Sequence, residues 1–368
     1  MPTIQMSYLG LNIEVSSHES SSLKWLQEFF DGSFNTQFDL TSKHPILRVF
    51  LRHDSDRLAE LRDRCQSSTD SMAAFVLDSG LQRMPCVKVG EQSICAYSIL
   101  QDIAYVVAET TEVVKDDVGR ADEYRGRGGL MRAVREHALD HVWRRGYSIL
   151  HGSAFVVDGV ATAFVGDKSA GKTTALCGAL TLFPKSEFLA NDRIVVGLAD
   201  KGVIAYGLPT IISIRSGGAR LIESLKDRLR DVSTQYDGSP FSGNDQDERR
   251  LLTTHGFSAL MNCGVQRSAT LKNLVFPVID NNQQDFLLRK LSSQEIRQRI
   301  SSAAFARGHL QEYTELFAMP SSGRLATEFE KSERLDLIGE RINCYELRMS
   351  PGFYTRPSMA RFMNLISI

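Results

Sequence analysis

One segment of this chain combines glycine, lysine and threonine at the spacing G-x-x-x-x-G-K-[ST], which is typical of loops that bind phosphate groups. The segment begins at Gly166 and ends at Thr173. A polyphosphate needs many hydrogen-bond donors close together, and successive backbone N–H groups of such a loop supply them. A helix that starts in the loop adds the positive end of its dipole. The spacing therefore predicts a binding site for a polyphosphate.

The residue types within this loop indicate how the phosphates are held. Lys172 is expected to reach the β- and γ-phosphates, and the Thr173 hydroxyl is expected to ligate Mg²⁺. The residues that we expect to contact ATP are Gly166, Asp167, Lys168, Ser169, Ala170, Gly171, Lys172, Thr173 and Thr174. A phosphate loop by itself is equally compatible with a kinase, a GTPase, a motor or a transport ATPase. The residues around the loop must therefore distinguish among these functions.

Two polar positions flank the loop on neighbouring apolar segments. His151 precedes Gly152 in an apolar run before the loop, and Asp192 follows Asn191 where a short strand after the loop helix is expected to end. An acidic residue at the carboxyl end of a strand in a parallel sheet lies beside the phosphate loop. Asp192 is then able to hold Mg²⁺ or to accept a proton from an attacking hydroxyl. As alternatives, Asp192 caps a turn or pairs with Arg193, and His151 is a hydrogen-bonded core histidine. Asn191 is either an amide beside the metal or a turn former.

The elements that must position these residues can be read from hydrophobic patterns and turn signals. Two apolar runs, Tyr147–Val157 and Val160–Val165, flank Asp158-Gly159, a pair that strongly indicates a β-hairpin because both turn positions need positive φ. We predict a helix over Gly171–Leu182 after the loop. Further strands are predicted at Phe188–Ala190, Ile194–Val196, Val203–Tyr206 and Thr210–Ile214.

The first 128 residues are predicted to form a smaller α+β domain without a recognisable chemical motif. Substrate recognition is one role that this domain could have. Its predicted elements are a strand over Ile4–Val15, a helix over Ser22–Phe30, and strands at Ile46–Leu51, Met72–Leu77, Cys86–Val89 and Ile103–Ala108. A polar, glycine-rich linker, Lys115–Gly129, leads to an amphipathic helix over Leu130–Arg145. We expect that helix to open the second domain, which spans residues 129–368 and carries the phosphate loop.

The sequence from about residue 147 to 218 resembles the HPr serine kinase/phosphorylase family, which shares its core with phosphoenolpyruvate carboxykinase. In that family a histidine-glycine pair, a turn, the phosphate loop and an acidic strand end follow one another, as His151-Gly152, Gly166–Thr173 and Asp192 do here. The ending of the loop is similar to the carboxykinase version, and Ile214–Gly217 is similar to an Ile-Arg-Gly segment of the kinases. The resemblance implies an α/β P-loop domain with a mixed sheet, preceded by the smaller α+β domain.

The same resemblance implies catalytic roles for three residues and a substrate role for a fourth. Lys172 binds the transferred phosphate, Asp192 takes the proton of the acceptor and ligates the metal together with Thr173, and His151 lies close to the same site. Arg215 is implied to contact phosphate or substrate, with an ordinary surface arginine as the alternative.

This chain departs from the family at two positions. Asn191 stands where the family usually has the first of two aspartates, and Ser213 stands where HPr kinases carry a glutamate. These departures favour a specialised relative with a different acceptor.

The polar and acidic stretch from Tyr236 to Glu248 has the character of a substrate lid, although most such loops are solvated connections. Arg249 and Arg250 follow it, and we predict that they bridge phosphate or substrate when the loop closes.

The composition excludes several other classes of function. The formal charge is −1, from 43 basic and 44 acidic residues, so the chain lacks the strongly basic character of a nucleic-acid binder. No apolar stretch approaches the roughly 20 residues that span a membrane. The 6 cysteines show no metal-ligand spacing, and we expect reduced thiols in a cytoplasmic protein.

Three hypotheses for function follow. The first is an ATP- and Mg²⁺-dependent kinase of a hydroxyl on a small molecule or amino acid, and the second is a peptide or protein serine kinase. The third is a nucleotide-gated binding module that hydrolyses ATP without transfer. The resemblance also allows a homo-oligomer, and no motif distinguishes ATP from GTP.

Overall fold

The computed structural model describes residues 1–38, 47–53, 56, 59, 74–78, 83–88, 93–98, 103–108, 127–183, 185–200, 202–233, 236, 249–304 and 328–366. The chain is of the α/β class with mixed sheets. Its described residues form two compact units, residues 1–145 and the residues from 146 onward. No helix in the described ranges is both long and apolar enough to cross a membrane.

The first unit is built on a mixed sheet of eight strands. The strands are β1 (Thr3–Tyr8), β2 (Leu11–Ser17), β3 (Asn35–Phe38), β4 (Leu47–His53), β5 (Ala74–Asp78), β6 (Arg83–Lys88), β7 (Ser93–Ser98) and β8 (Ile103–Ala108). Their order across the sheet is β3-β1-β2-β4-β8-β7-β6-β5. Among the helices of the described residues, α1 (Ser20–Phe30) and α2 (Arg127–Arg144) accompany it. The predicted helix over Ser22–Phe30 is confirmed, whereas β3 and β7 were not predicted.

The single strand predicted over Ile4–Val15 is wrong, because the chain reverses direction within it. Leu9 and Gly10 adopt φ values of 48° and 87°, and β1 pairs with β2 in an antiparallel hairpin around them. Alternating apolar residues continue on both sides of the turn, so the period of two hides the reversal. Gly10 supplies the positive φ that the turn requires.

Helix α2 belongs to the first unit rather than opening the second. It packs on α1 and on strands β2, β4, β7 and β8. The boundary between the compact units therefore lies between Arg145 and Gly146, and not between residues 128 and 129. The physical reason is that the apolar residues of α2, including Leu130 and Val134, are buried within that unit.

Helix α2 also carries a buried histidine that should make the first unit sensitive to acid. Burial lowers the pKa of His137 from 6.5 to about 4. The neutral form is therefore favoured in the folded state, so its stabilising contribution is present above the unfolded pKa and is lost as the pH falls through about 4. The expected loss between about pH 7 and pH 4 is about 3 kcal/mol.

The measurement compares urea unfolding of the wild type and His137→Gln at both pH values, followed by tryptophan fluorescence. The 2 tryptophans of the sequence, Trp25 and Trp143, are buried in α1 and α2 and therefore report the first unit. The nearby Asp140, whose pKa burial raises to about 6, acts in the opposite direction in both proteins. An equal response of the two proteins to pH would exclude His137 as a source of the acid sensitivity.

The second unit contains a seven-stranded mixed sheet and a separate two-stranded sheet. The first consists of β9 (Ser148–Val157), β10 (Val160–Val165), β11 (Glu187–Ala199), β12 (Gly202–Gly207), β15 (Ser268–Ile279), β16 (Phe286–Lys290) and β17 (Asn343–Met349). The second pairs β13 (Ile212–Arg215) with β14 (Arg249–Leu252). The helices are α3 (Lys172–Leu182), α4 (Ser216–Ala219), α5 (Glu223–Arg230), α6 (Thr254–Met261), α7 (Ser293–Ala303), α8 (Glu328–Arg341) and α9 (Arg356–Ile366), with a 3₁₀ turn at Pro351–Tyr354.

The order of strands in the larger sheet is β10-β9-β11-β12-β15-β17-β16, and β10 also pairs with β15 in parallel. The pairings among β10, β9, β11, β12 and β15 thus close a ring. Side chains alternate between two apolar clusters: Phe155 and Phe164 pack with α3, α5, α6 and α9, while Ala154 and Val165 pack on the side of α7 and α8. The strands of the ring are therefore buried by apolar packing on both of their faces.

The predicted hairpin before the phosphate loop is confirmed. β9 and β10 pair antiparallel around Asp158 and Gly159, whose φ values are 50° and 77°. The loop helix and the strands predicted at Val203–Tyr206 and Thr210–Ile214 are also present as α3, β12 and β13. The predicted lid, Tyr236–Glu248, lies outside the described residues except for Tyr236, as does most of the predicted linker Lys115–Gly129.

Candidate functional site

The phosphate loop connects β10 to α3, as the motif requires. Three of its residues have positive φ: 141° at Gly166, 68° at Ser169 and 88° at Gly171. Gly171 is the N-cap of α3, and a Cβ atom there would lie 2.7 Å from Cε of Met349. Only glycine tolerates this combination of left-handed backbone and close contact without strain. The loop therefore turns its backbone sharply into the start of a helix, the arrangement that presents N–H groups to an anion.

Lys172 is the first residue of α3 and is largely buried, with 7% of its surface exposed. Its Nζ donates hydrogen bonds to the carbonyl oxygens of Gly166 and Asp167, at 2.8 and 2.6 Å. Burial lowers the pKa of the Lys172 ammonium, and the charges of Asp192 and Asp167 act against that shift. A largely buried ammonium held by neutral carbonyl oxygens is well suited to an incoming phosphate.

Asn191 connects the phosphate loop to the central strands through its side-chain oxygen. The hydroxyl of Thr173 donates to Oδ1 of Asn191 at 3.1 Å, and the hydroxyl of Ser153 on β9 donates to the same atom at 2.9 Å. Because the Thr173 proton is used in this bond, the lone pairs of its oxygen remain directed away from Asn191. The Thr173 oxygen is therefore oriented as an acceptor, as a cation ligand must be.

Asp192 lies inside a long strand rather than at the end of a short one, so the two strands predicted at Phe188–Ala190 and Ile194–Val196 were wrong as separate elements. β11 continues from Glu187 to Ala199 with Asp192 at φ 68°. It pairs antiparallel with β9, so the parallel sheet assumed for this residue is also wrong. A positive φ is uncommon for a residue other than glycine, and tertiary pairing holds it here.

The strand register brings Asp192 close to the loop even though the two are not on adjacent strands. Gly152 pairs with Val165, the residue before the loop, on one side and with Asp192 on the other. Two strand spacings separate their backbones by roughly 10 Å. A Cβ on Gly152 would lie 2.7 Å from the carbonyl oxygen of Phe164, so glycine is required at this central position.

The Asp192 side chain is 46% exposed and has two basic neighbours. Its Oδ1 lies 3.5 Å from Nε2 of His151, and its Oδ2 lies 3.7 Å from Nε of Arg193. Burial lowers the pKa of His151, the charge of Lys172 lowers it further, and Asp192 acts in the opposite direction. A neutral His151 beside an accessible carboxylate leaves Asp192 available to accept a proton or bind a cation.

A single cavity of about 430 Å³ contains these groups. It is lined by His151, Ser153, Lys168, Ser169, Gly171, Lys172, Thr173, Thr174, Cys177, Asn191, Asp192, Ser213, Ile214, Arg215, Gly217, Gly218, Ala219, Leu221, Leu225, Arg249, Ile279 and Tyr354. The cavity thus unites the loop, His151, Asp192, Arg215 and Arg249. Gly166, Asp167 and Ala170 shape the loop without lining the cavity.

Arg250 is not among the lining residues, although we predicted it together with Arg249. In β14, Arg249 pairs with Arg215 and Arg250 pairs with Ile214. Successive side chains of a strand point to opposite faces, so Arg249 and Arg250 lie on different faces of β14, and Arg249 is the one that lines the cavity. The prediction for Arg250 as a substrate residue therefore finds no support in its position.

The structure also brings residues to the cavity that the sequence analysis did not select. Ser153 lies on β9, and Gly218 lies in the short helix α4. A Cβ atom on Gly218 would lie 2.7 Å from Oγ1 of Thr174. Ile279 and Tyr354 come from the C-terminal part of the chain and form an apolar wall of the cavity near Gly171. The Gly217-Gly218 pair was a usable signal of close approach, but no local pattern marks Ile279 or Tyr354.

The protein groups fit a magnesium–nucleotide complex better than a metal site made by the protein alone. In the described part of the chain, no group of three or more His, Cys, Asp or Glu side chains is placed to hold a metal ion. Mg²⁺ usually keeps several waters and is bound through one or two protein oxygens together with substrate phosphates. The Thr173 oxygen and the Asp192 carboxylate meet that description. A fit to Mg²⁺ therefore depends on the nucleotide being bound.

A scan against models of protein families finds no matching family, and a search of curated proteins finds no relative.

Proposed function

We propose that this protein is an ATP-dependent phosphotransferase that transfers the γ-phosphate to a hydroxyl of a small molecule or amino acid. The observation that carries the proposal is the placement of the Asp192 carboxylate in the same cavity as Lys172 and Thr173 of the phosphate loop. A phosphate loop alone explains nucleotide binding, whereas transfer also needs a group that orients and deprotonates the acceptor. We extend the proposal to the fold, as a divergent P-loop domain of the HPr kinase/phosphoenolpyruvate carboxykinase type.

Each residue has a role that follows from its surroundings. Lys172 offsets negative charge that develops on the transferred group, because its buried ammonium interacts strongly in a site of low polarity. Asp192 accepts the proton of the acceptor hydroxyl, and the neutral His151 keeps that carboxylate oriented. Thr173 would offer an oxygen to Mg²⁺. When both are bound, ATP would supply the phosphoryl group and Mg²⁺ would offset its negative charge. The chain itself forms no covalent intermediate in this scheme.

The proposal is tested by following the label of γ-labelled ATP in the presence of Mg²⁺ and an extract of the source cell. The label is separated into small-molecule, polypeptide and free-phosphate fractions, and identically purified Lys172→Met serves as the blank for contaminating kinases. Label in the small-molecule fraction, beyond the blank, is the expected result. Label in polypeptide would instead support a peptide kinase. Label found only as free phosphate would contradict transfer and favour a nucleotide-hydrolysing module.

The orientation of Thr173 gives a separate prediction for Mg²⁺. Asn191→Leu removes the amide oxygen that accepts from Thr173 and Ser153, so the Thr173 hydroxyl is free to rotate away from the cation. We expect the Mg²⁺ concentration for half-maximal nucleotide binding to rise about 10- to 100-fold, the usual effect of losing a group that orients a metal ligand.

The measurement is calorimetric titration of a non-hydrolysable ATP analogue at several Mg²⁺ concentrations. Asn191→Asp is the matched control, because it keeps an acceptor oxygen at the same position and should retain or strengthen the dependence on Mg²⁺. Equal Mg²⁺ requirements in wild type and Asn191→Leu would show that Asn191 does not position Thr173.

A further inference from the structure

Two arginines occupy directly opposed positions on the small two-stranded sheet of the second unit. Arg215 ends β13, Arg249 begins β14, and the two pair in antiparallel register. Directly opposed residues share one face of the ladder and have Cβ atoms about 5 Å apart. Like charges in this arrangement are destabilising unless something neutralises them. The pair therefore calls for a negative group between its guanidinium ions.

The described residues do not supply that negative group. Both arginines are exposed, and neither side chain makes a hydrogen bond or an ion pair in the part of the chain that the structure describes. Arg230, by comparison, lies 3.4 Å from the Asp227 carboxylate. An arginine pair at the wall of a cavity, held by no carboxylate of the described residues, is available to an anionic ligand.

The charge of the cavity as a whole points in the same direction. Its lining contains the cations Lys168, Lys172, Arg215 and Arg249, whereas Asp192 is the single carboxylate among the described residues that line it. The phosphate loop accounts for the two lysines. The arginines come from β13 and β14, outside the phosphate loop. Shortly after β13, Gly218 approaches Thr174 of α3 so closely that a Cβ atom on Gly218 would lie 2.7 Å from Oγ1 of Thr174. Arg215 is therefore only three residues from a direct neighbour of the phosphate-loop helix.

We propose that Arg215 and Arg249 form an anion-binding subsite that holds a carboxylate or phosphate group of the hydroxyl acceptor. This inference rests on the proposed kinase function and narrows its substrate class to hydroxy acids or phosphorylated alcohols. The guanidinium forks bind two oxygens of such a group and thereby fix the direction of its hydroxyl. Asp192, which lines the same cavity, then accepts the proton of that hydroxyl. A neutral alcohol lacks this attachment and is a poor acceptor.

The test is a calorimetric titration that needs no turnover. Inorganic phosphate and malonate are titrated separately into the full-length protein saturated with Mg²⁺ and a non-hydrolysable ATP analogue, so that the phosphate loop is already filled. We expect at least one of the two anions to bind, and the tighter one identifies the chemical class. In Arg215→Gln/Arg249→Gln, its dissociation constant should rise about 10- to 100-fold, the loss expected for charge-assisted hydrogen bonds.

Two further variants keep the result decisive. Arg249→Gln alone should show a smaller weakening, and Arg230→Gln, which removes the same charge elsewhere in the unit, should bind the anion like the wild type. Absence of anion binding to the wild type, or equal binding by the double variant, would overturn the subsite. Loss of analogue affinity in the double variant would also overturn it and assign the arginines to the nucleotide. If the wild type fails to bind the analogue itself, the proposed kinase function fails.

Discussion

Asp192→Asn should lower the rate of phosphoryl transfer by about 10²- to 10⁴-fold, the range for loss of a positioned general base. The amide keeps the size and most of the hydrogen-bonding capacity of the side chain but cannot take the proton of the acceptor. Asparagine also tolerates the positive φ of 68° at this position, so the strand should remain intact. The expected loss therefore falls on kcat, while the affinity for the nucleotide changes only a few-fold.

The measurement is kcat and KM for ATP and for the identified acceptor, with circular dichroism to show that the fold is retained. Asp200→Asn is a matched control, because this substitution removes the same charge from a residue that is exposed at the turn after β11 and does not line the cavity. We expect wild-type kinetics for that control. An Asp192→Asn enzyme with unchanged kcat at saturating acceptor would exclude the carboxylate as the base.

Lys172→Met should lower phosphoryl transfer by about 10²- to 10³-fold, comparable to the loss of one donor that stabilises a developing negative charge. Methionine retains the apolar stem of the buried side chain and removes only the ammonium. The hydrogen bonds of Nζ to the carbonyl oxygens of Gly166 and Asp167 are lost, but so is the cost of burying the charge. We therefore expect a folded protein whose binding of ATP and whose transfer are both impaired.

Thermal unfolding with and without Mg²⁺ and ATP provides a second measurement for this variant. A bound nucleotide stabilises the folded wild type by RT ln(1 + c/Kd), where c is the concentration of free nucleotide, so its Tm rises with that concentration. That rise should shrink or disappear in Lys172→Met. Lys226→Met, on the exposed face of α5, removes the same charge and should keep the full rise. If Lys172→Met shows the same nucleotide-dependent rise and the same kcat as wild type, Lys172 does not contact the phosphates.

The sequence by itself determined the phosphate loop and the elements on either side of it. Asp158-Gly159 encodes the hairpin turn through its tolerance of positive φ, and Gly171 encodes the left-handed start of α3. These features depend on the backbone preferences of a few adjacent residues, and such local preferences are present in the chain before it folds. Lys172 and Thr173 could therefore be selected as candidate ligands from spacing alone.

Tertiary structure alone decided which residues complete the candidate site. The pairing of Gly152 with both Val165 and Asp192 sets the carboxylate beside the loop, and it does so across β9 in a mixed sheet. Strand register depends on which residues of distant segments meet, and a hydrophobic period of two does not specify the partner. The same limit explains why Asp192 was expected at a strand end and was found within β11.

Arg215, Arg249 and Arg250 show most clearly what the sequence determines locally and what the tertiary structure decides. Sequence proximity grouped Arg249 with Arg250, whereas the register of β13 and β14 pairs Arg249 with Arg215 and turns Arg250 to the other face. The alternation of side chains along a strand is a local rule, but the boundaries of the strand and the identity of its partner arise from packing of the whole unit. The phosphate loop thus depends on adjacent residues, while the side of the cavity that Arg215 and Arg249 line forms only after distant segments have paired.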